Sequence, residues 1–346
     1  LLSRRLRQMC IRDRLPSYMG TSGNASSALA APMGNYGDIE NKGWEISLNT
    51  HPLIGAFEWD SDFQISFNRN KLRALDGTAN AQIVGYGQWS DVVSVTNVGE
   101  SLYNFYGYVC DGVYEDLEDL QTSAKPAKYP ADGVFNRTNT VWVGDIKYKD
   151  LNGDGVIDEN DRTNIGSPLP KFTFGWTNTF RYKNFDLSLF INGSYGNKVF
   201  NYLGMKLTHM NSPWSNQLNT VLDRAQIVPI DPNKDYSAGV VVNGVTIYNW
   251  YDDITNVRVA NAGATIPRAS IQDPNDNDRI SDRYIEDGSY IRLKNITLGY
   301  TFPGKIIKKW GLDNLRVYAN IQNLLTITGY SAVSYTHLRA HETCAD

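Results

Sequence analysis

In "KFTFGWTNTFRY" a large apolar side chain stands at almost every second position. Phe172, Phe174, Trp176, Phe180 and Tyr182 share one face, and Thr173, Gly175, Thr177, Thr179 and Arg181 share the other. A repeat of two marks an extended strand, because successive Cβ atoms of a pleated chain point to opposite sides; a helix would scatter the same residues around its axis. After Lys183-Asn184, "FDLSLFINGSY" resumes the pattern with Phe185, Leu187, Leu189, Ile191 and Tyr195 against Asp186, Ser188, Asn192 and Ser194. Two such runs around a tight turn predict a hairpin. Strands of about eleven residues have the length of tilted, membrane-crossing ones.

The pattern recurs. "GWEISL" sets Trp44, Ile46 and Leu48 against Glu45, Ser47 and Asn49. After the short connector 50–56, "FEWDSDFQISF" sets Phe57, Trp59, Phe63, Ile65 and Phe67 against Glu58, Asp60, Asp62, Gln64 and Ser66. Near the C-terminus "YIRLKNITLGYTF" aligns Ile296, Leu298, Tyr300 and Phe302, and "LRVYANIQNLL" aligns Leu315, Val317, Ala319 and Ile321. A phase slip near Asn295 predicts a bulge, and "PGKIIKKWGLDN" predicts a helical turn or a loop. The links at the opposite ends, 69–101, 115–140 and 197–288, are rich in Asn, Asp, Gly, Pro and Ser and hold no sustained period. Short turns alternating with long loops are the layout of an outer-membrane barrel, whereas loops of that length count against a compact soluble domain. The expectation is an all-β chain, a transmembrane antiparallel β-barrel with long extracellular loops. A soluble β-sandwich alternates similarly, but aromatic apolar faces opposite small polar or acidic ones suit a wall between lipid and water better.

Composition constrains less. Hydrophobic residues make up 41% of the 346, and the mean hydropathy of −0.40 is that of a soluble globule, but a barrel hides its lipid face from such averages. The formal charge of −4 leaves no footprint for nucleic acid, and no apolar window of about 18 residues offers a spanning helix. The two ends differ from the middle. Residues 1–14, "LLSRRLRQMCIRDR", and 333–346, "VSYTHLRAHETCAD", resemble translated adapter sequence and are set aside from fold reasoning; read as structure, they would be a basic helix and a polar tail. Residues 15–332 then carry the fold, with a charge of −7 and a single cysteine, Cys110. His51 and His209 make no ligand pair by spacing.

One loop carries metal chemistry in its spacing. In "DLNGDGVIDEND" (150–161) oxygen ligands fall at positions 1, 3, 5, 7, 9 and 12 around a glycine at position 6, the pattern that wraps calcium in an EF-hand. The ligands would be Asp150, Asn152, Asp154, the Val156 carbonyl, Asp158 and Asp161. Asp161 stands where an EF-hand has glutamate, and the flanks are a strand and a Gly- and Pro-rich segment rather than helices. The plainer reading is a pair of Asn-Gly and Asp-Gly turns capped by their own side chains, but it gives no role to Asp158 and Asp161. The expected role of Ca2+ is structural. "DPNDNDRISDR" (273–283) lacks the spacing and reads as a solvated loop. Tyr103, Phe105, Tyr106, Trp214, Trp250 and Tyr251 are candidates for stacking on sugar rings or packing on a partner. No catalytic residues are identified.

Five stretches in order, "NYGDIENKGWEISL", "VGESLYNFYGYVCDGVY", "GDIKYKDLNGDGVIDENDRTNIGSPLPKFTFGWTNTFRYKNFDLSLFINGSYG", "YIRLKNITLGYTFP" and "LRVYANIQNLLTIT", resemble the C-terminal barrel region of SusC/RagA-like TonB-linked outer-membrane proteins over about residues 15–332. The resemblance implies a 22-stranded barrel with an N-terminal plug in the outer membrane of Bacteroidetes. Such a barrel imports oligosaccharides or peptides beneath a SusD-like surface lipoprotein lid and is energised through TonB. It also implies that this chain holds roughly the last third of such a barrel, with contacts to outer-membrane lipid, and is not itself competent to transport. Two other functions compete: a calcium-stabilised extracellular β-sandwich for adhesion or carbohydrate binding, and a two-carboxylate glycosidase, for which no paired spacing is present.

Overall fold

A computed structural model describes residues 3–18, 33–75, 81–87, 91–212 and 214–331, with side chains from residue 37 onward. Its backbone is dominated by one meandering antiparallel sheet of seven strands, each paired with its neighbours in chain order. The strands are β1 (Ser3–Tyr18), β2 (Met33–Leu53), β3 (Phe57–Leu75), β4 (Phe172–Tyr182), β5 (Phe185–Tyr195), β6 (Tyr290–Thr301) and β7 (Arg316–Thr328). Most of the set-aside residues 1–14 lie in β1, paired along its length with β2; residues 333–346 lie outside the described residues.

The registers follow the alternation in the sequence. Tyr182 faces Phe185, leaving Lys183 and Asn184 as a two-residue turn, with Lys183 in the left-handed region at φ 51°. The predicted bulge falls at Lys294, the extra residue where the pairing of β5 with β6 passes from Phe190–Asn295 to Ile191–Leu293. That extra residue returns Ile291 and Leu293 to the face that carries Ile296 and Leu298, so the bulge corrects the phase slip. The segment after β6 forms a short helix, Gly304–Ile307, and a 3-10 turn.

The expectation of irregular long loops is only partly met. β3 runs on to Leu75, and the loop segments build small sheets, short helices and a core of their own. Val113, Tyr114, Leu120, Trp142, Ile146, Ile157, Ile254 and Val257 are buried together there. These residues sit in strands of two to four residues, in helices of three to six or in turns, too short to show a period, and come together from positions far apart in the chain. By contrast, none of the buried hydrophobic side chains among the described residues belongs to β4, β5, β6 or β7. The large apolar residues of those strands are left half-buried or exposed, with no second layer over them. A sandwich would have buried them against another sheet.

Candidate functional site

The wall has two chemically distinct faces. On the apolar one, aromatic rings gather at both ends of the strands. Near the short turns Phe57, Trp59, Phe180 and Tyr182 make ring contacts of 5.8–6.4 Å, and Phe185 meets Tyr300 at 4.6 Å. At the loop end Phe172 contacts Phe67 at 5.7 Å and Tyr195 at 5.2 Å. Leu187, Leu189, Ile191, Ile296 and Leu298 lie between the two groups. From Phe172 to Tyr182 the strand rises about 33 Å at about 3.3 Å per residue. At a tilt of about 40° that is about 25 Å along the membrane normal, the height of a barrel's apolar band between its aromatic girdles. Two polar groups interrupt the face, and both are paired: Trp59 Nε1 donates to Asn178 Oδ1 at 3.0 Å and Trp176 Nε1 donates to Ser61 Oγ at 2.9 Å. These two indole N–H groups, which hydrocarbon would otherwise strand, have acceptors in the wall.

The opposite face carries a charge ladder at the turn end. His51 of β2 contacts Asp60 of β3 at 2.5 Å, and Arg181 of β4 reaches Asp60 at 2.7 Å and Glu58 at 3.4 Å. Asp186 of β5 pairs with Arg316 of β7 at 2.5 Å, across the whole width of β6. That reach depends on Gly299 of β6, where a Cβ would stand 2.5 Å from both Arg316 Nη2 and Asp186 Oδ1. The alternation placed these residues on the polar face but gave no sign that they pair across the strands in two groups, His51 with Asp60, Arg181 and Glu58, and Asp186 with Arg316.

The loop layer is organised by a buried polar junction. Arg268 grips Asp145 with Nε at 2.7 Å and Nη2 at 3.2 Å, both side chains being almost fully buried. Asp145 also accepts the Trp142 N–H at 2.8 Å and Asn277 Nδ2 at 3.2 Å. Burial pushes the Asp145 carboxyl upward while Arg268 and the two N–H donors oppose it; the bidentate guanidinium requires the anion. The network continues through Asn277 and Asn275 to the Ile146 backbone and through Asp273 to His209. The reading of 273–283 as a solvated loop is therefore corrected: Asn275, Asn277 and Ser281 are buried. The Asn275 and Asn277 amides replace the water that the Ile146 backbone groups in a folded loop layer would otherwise need.

His209 lies between Asp273 and Asp278, each ring nitrogen 3.0 Å from a carboxylate oxygen. Burial works against its charged form, but the two carboxylates outweigh it and raise its pKa to about 9. Burial likewise opposes ionisation of Asp278, and the bond to His209 brings it down to about 2. These are the one trio of His, Cys, Asp or Glu among the described residues whose ligand atoms all lie within 4.8 Å of one another. With both nitrogens donating, the ring is an imidazolium clasp with no lone pair to offer a metal. It ties the helix Tyr202–Thr208 to the 273–284 segment.

In the 150–161 loop, Asp150 accepts the N–H groups of Gly153 and Gly155 at 2.6 and 2.8 Å. Asn152, Asp154 and Asp158 each accept the N–H two residues on. Gly153 and Gly155 have φ of 76° and 82°, which the tight path requires. The backbone bonds hold Asp150 below the usual carboxylate range. Asp161 is fully buried, accepting Leu151 N–H on Oδ1 and Asp158 N–H on Oδ2. The Val156 carbonyl belongs to a two-residue strand paired with Lys125–Pro126.

The candidate aromatics divide. Phe105 packs on Phe200 at 6.2 Å, Tyr106 lies under Arg162, and Trp250 packs against the loop core. Tyr103 and Tyr251 are partly exposed, and Trp214 is 93% exposed.

No family model matches the chain. It is 32% identical over 319 residues to TonB-dependent receptor P3 of Formosa agariphila, covering 91% of this chain and 26% of that protein. It is 33% identical over 292 residues to TonB-dependent receptor P26 of the same organism, covering 84% and 25%. TonB-dependent receptor SusC of Bacteroides thetaiotaomicron is 26% identical over 303 residues, covering 86% and 24%. The chain thus spans about a quarter of the length of these relatives. The solved structure of the RagAB peptide transporter superposes with a TM-score of 0.62 at 16% identity, covering 95% of this chain and 30% of that one. The RagAB peptide importer in its closed-closed state gives 0.61 at 17%. That likeness places the fold among transmembrane antiparallel β-barrels, and the sandwich and enzyme readings fall with it.

Proposed function

Since the chain belongs to the SusC/RagA-like TonB-linked outer-membrane proteins, we propose that it forms the C-terminal part of the barrel of an outer-membrane importer in a Gram-negative bacterium. The parent protein takes up oligosaccharides, or peptides, with a SusD-like surface lipoprotein as lid and TonB as the source of energy. The observation that carries this reading is the uncovered apolar face of β4 to β7, bordered by aromatic rings about 25 Å apart, opposite a face of charges and small polar groups. The seven strands alone leave unpaired edges that lipid cannot satisfy, so the segment works only inside a closed barrel. Uptake of labelled oligosaccharides and peptides by cells carrying the full receptor tests it. Uptake lost on deleting the receptor gene, and abolished by a protonophore, supports the proposal; uptake unchanged by either overturns it.

The proposal extends to Ca2+ in the 150–161 loop as a structural staple of the extracellular side. Asp150, Asn152, Asp154, the Val156 carbonyl, Asp158 and Asp161 would hold it. In support, backbone N–H groups orient all five side chains, and each bonded oxygen keeps a second lone pair. Calcium titration followed by limited proteolysis tests the staple. Cleavage within 150–161 should slow with calcium and return with a chelator; a rate indifferent to both contradicts it.

A further inference from the structure

A cavity of about 430 Å³ opens in the loop layer beside the 150–161 loop, in the size range of small-molecule sites. Its lining brings together two arginines, a phenol and several carboxylates, of which the proposed function uses only Asp158, as a calcium ligand. Arg162 lies over the Tyr106 ring at 5.1 Å and gives Nη2 to the Val92 carbonyl at 3.0 Å. Its Nε is buried and has no acceptor among the described residues. Arg279 lies over two rings, Tyr108 at 5.3 Å and Tyr148 at 5.2 Å. Its nearest carboxylate oxygen, on Asp276, is 3.8 Å away, beyond hydrogen-bond length. Both guanidiniums are therefore held flat by aromatic faces with donor capacity to spare, which is how arginine presents a fork to a carboxylate. Across the cavity Asp158, Glu159 and Asp91 face the same space. Asp158 and Asp91 are already engaged, by Asn160 and by the Tyr202 hydroxyl, and Glu159 is exposed. The lining carries more negative than positive charge, so a plain anion is repelled; a ligand with an ammonium for the acids and a carboxylate for the arginines satisfies both sides.

We infer that this cavity binds a small zwitterion, of the chemistry of a free amino acid or a di- or tripeptide, its carboxylate on Arg162 and Arg279 and its ammonium toward Glu159. The site stands apart from the transport proposal, because occupancy is measured without uptake.

Calorimetric titration of the full chain in detergent with dialanine, N-acetyl-dialanine and dialanine amide tests it. Dialanine should bind, and each blocked form should bind at least about tenfold more weakly, since each loses one charge-assisted partner. Arg162→Gln and Arg279→Gln should each weaken dialanine at least about tenfold with the circular dichroism spectrum unchanged. The exposed Glu159→Gln, which disturbs no packing, should weaken dialanine while leaving N-acetyl-dialanine unaffected. Three results overturn the inference: an amide that binds as well as dialanine, which makes this a cation site; binding indifferent to all three substitutions; or no heat from dialanine up to about 10 mM.

Discussion

Removing either partner of the Asp145–Arg268 pair leaves the other buried without its ionic partner, so the loop layer should loosen as a unit. Arg268→Met deletes the 2.7 and 3.2 Å bonds to Asp145, whose side chain is 0% exposed, and leaves that carboxylate the Trp142 and Asn277 donors alone. Breaking a buried pair by removing one partner costs about 3–5 kcal/mol. At about 1.36 kcal/mol per decade that is from about 160-fold to about 5,000-fold in the opening equilibrium. Asp145→Leu should cost a similar amount. The double variant Asp145→Leu/Arg268→Met should recover most of it, because the uncompensated charge is gone. Hydrogen exchange in detergent reads this directly: amides of 141–148 and 273–284 should exchange faster in each single variant and near the parent rate in the double. Exchange in a single variant within about threefold of the parent, or a double variant as open as the sum of the singles, would refute the claim that this pair organises the layer.

The His209 clasp gives a pH dependence. Its pKa is raised in the fold, so its contribution is fully present below the unfolded value of about 6.5 and is lost as pH rises through about 9. Amides of the helix Tyr202–Thr208 should gain exchange across that window beyond the intrinsic rate, and His209→Gln should abolish the gain. At Gly299 a larger side chain would occupy the space through which Arg316 reaches Asp186; Gly299→Val should break the pair yet cost under about 1 kcal/mol by chemical denaturation, as exposed ion pairs are worth little. Asn178→Leu removes the acceptor of Trp59 Nε1 on the lipid face; a loss of about 1–3 kcal/mol in the same assay is expected for the stranded donor.

The wall was legible in the sequence because a sheet with one side in lipid and one in water writes its environment into every second residue. The run from Phe172 to Tyr182 by itself states strand, length, faces and turn, and the slip at Asn295 locates the bulge to within a residue. The loop layer was not legible, for the opposite reason. Its contacts join Asp145 to Arg268, 123 residues apart, and His209 to Asp273, 64 residues apart, and no local period encodes such meetings. The density of Asn and Asp in 273–283 was visible, but solvated loops and buried polar junctions share that composition. The difference lies in the partners, which only the fold supplies. In 150–161 the side chains turn in on the loop's own backbone, as the plainer reading of capped Asn-Gly and Asp-Gly turns expects.

The central claim is that one face of β4 to β7 meets lipid and the other meets water, and cysteine scanning along β4 and β5 in lipid vesicles tests it most directly. With Cys110 and every other native cysteine of the full receptor replaced by serine, single cysteines are placed in turn at 173–181 and 186–192 and labelled with an environment-sensitive fluorophore. The account predicts a strict alternation: labels at Phe174, Leu187 and Leu189 are quenched by lipid-borne nitroxides, and labels at Thr177, Thr179 and Ser188 are quenched by aqueous iodide. Labels quenched equally from both phases, or from water alone along both strands, would contradict it.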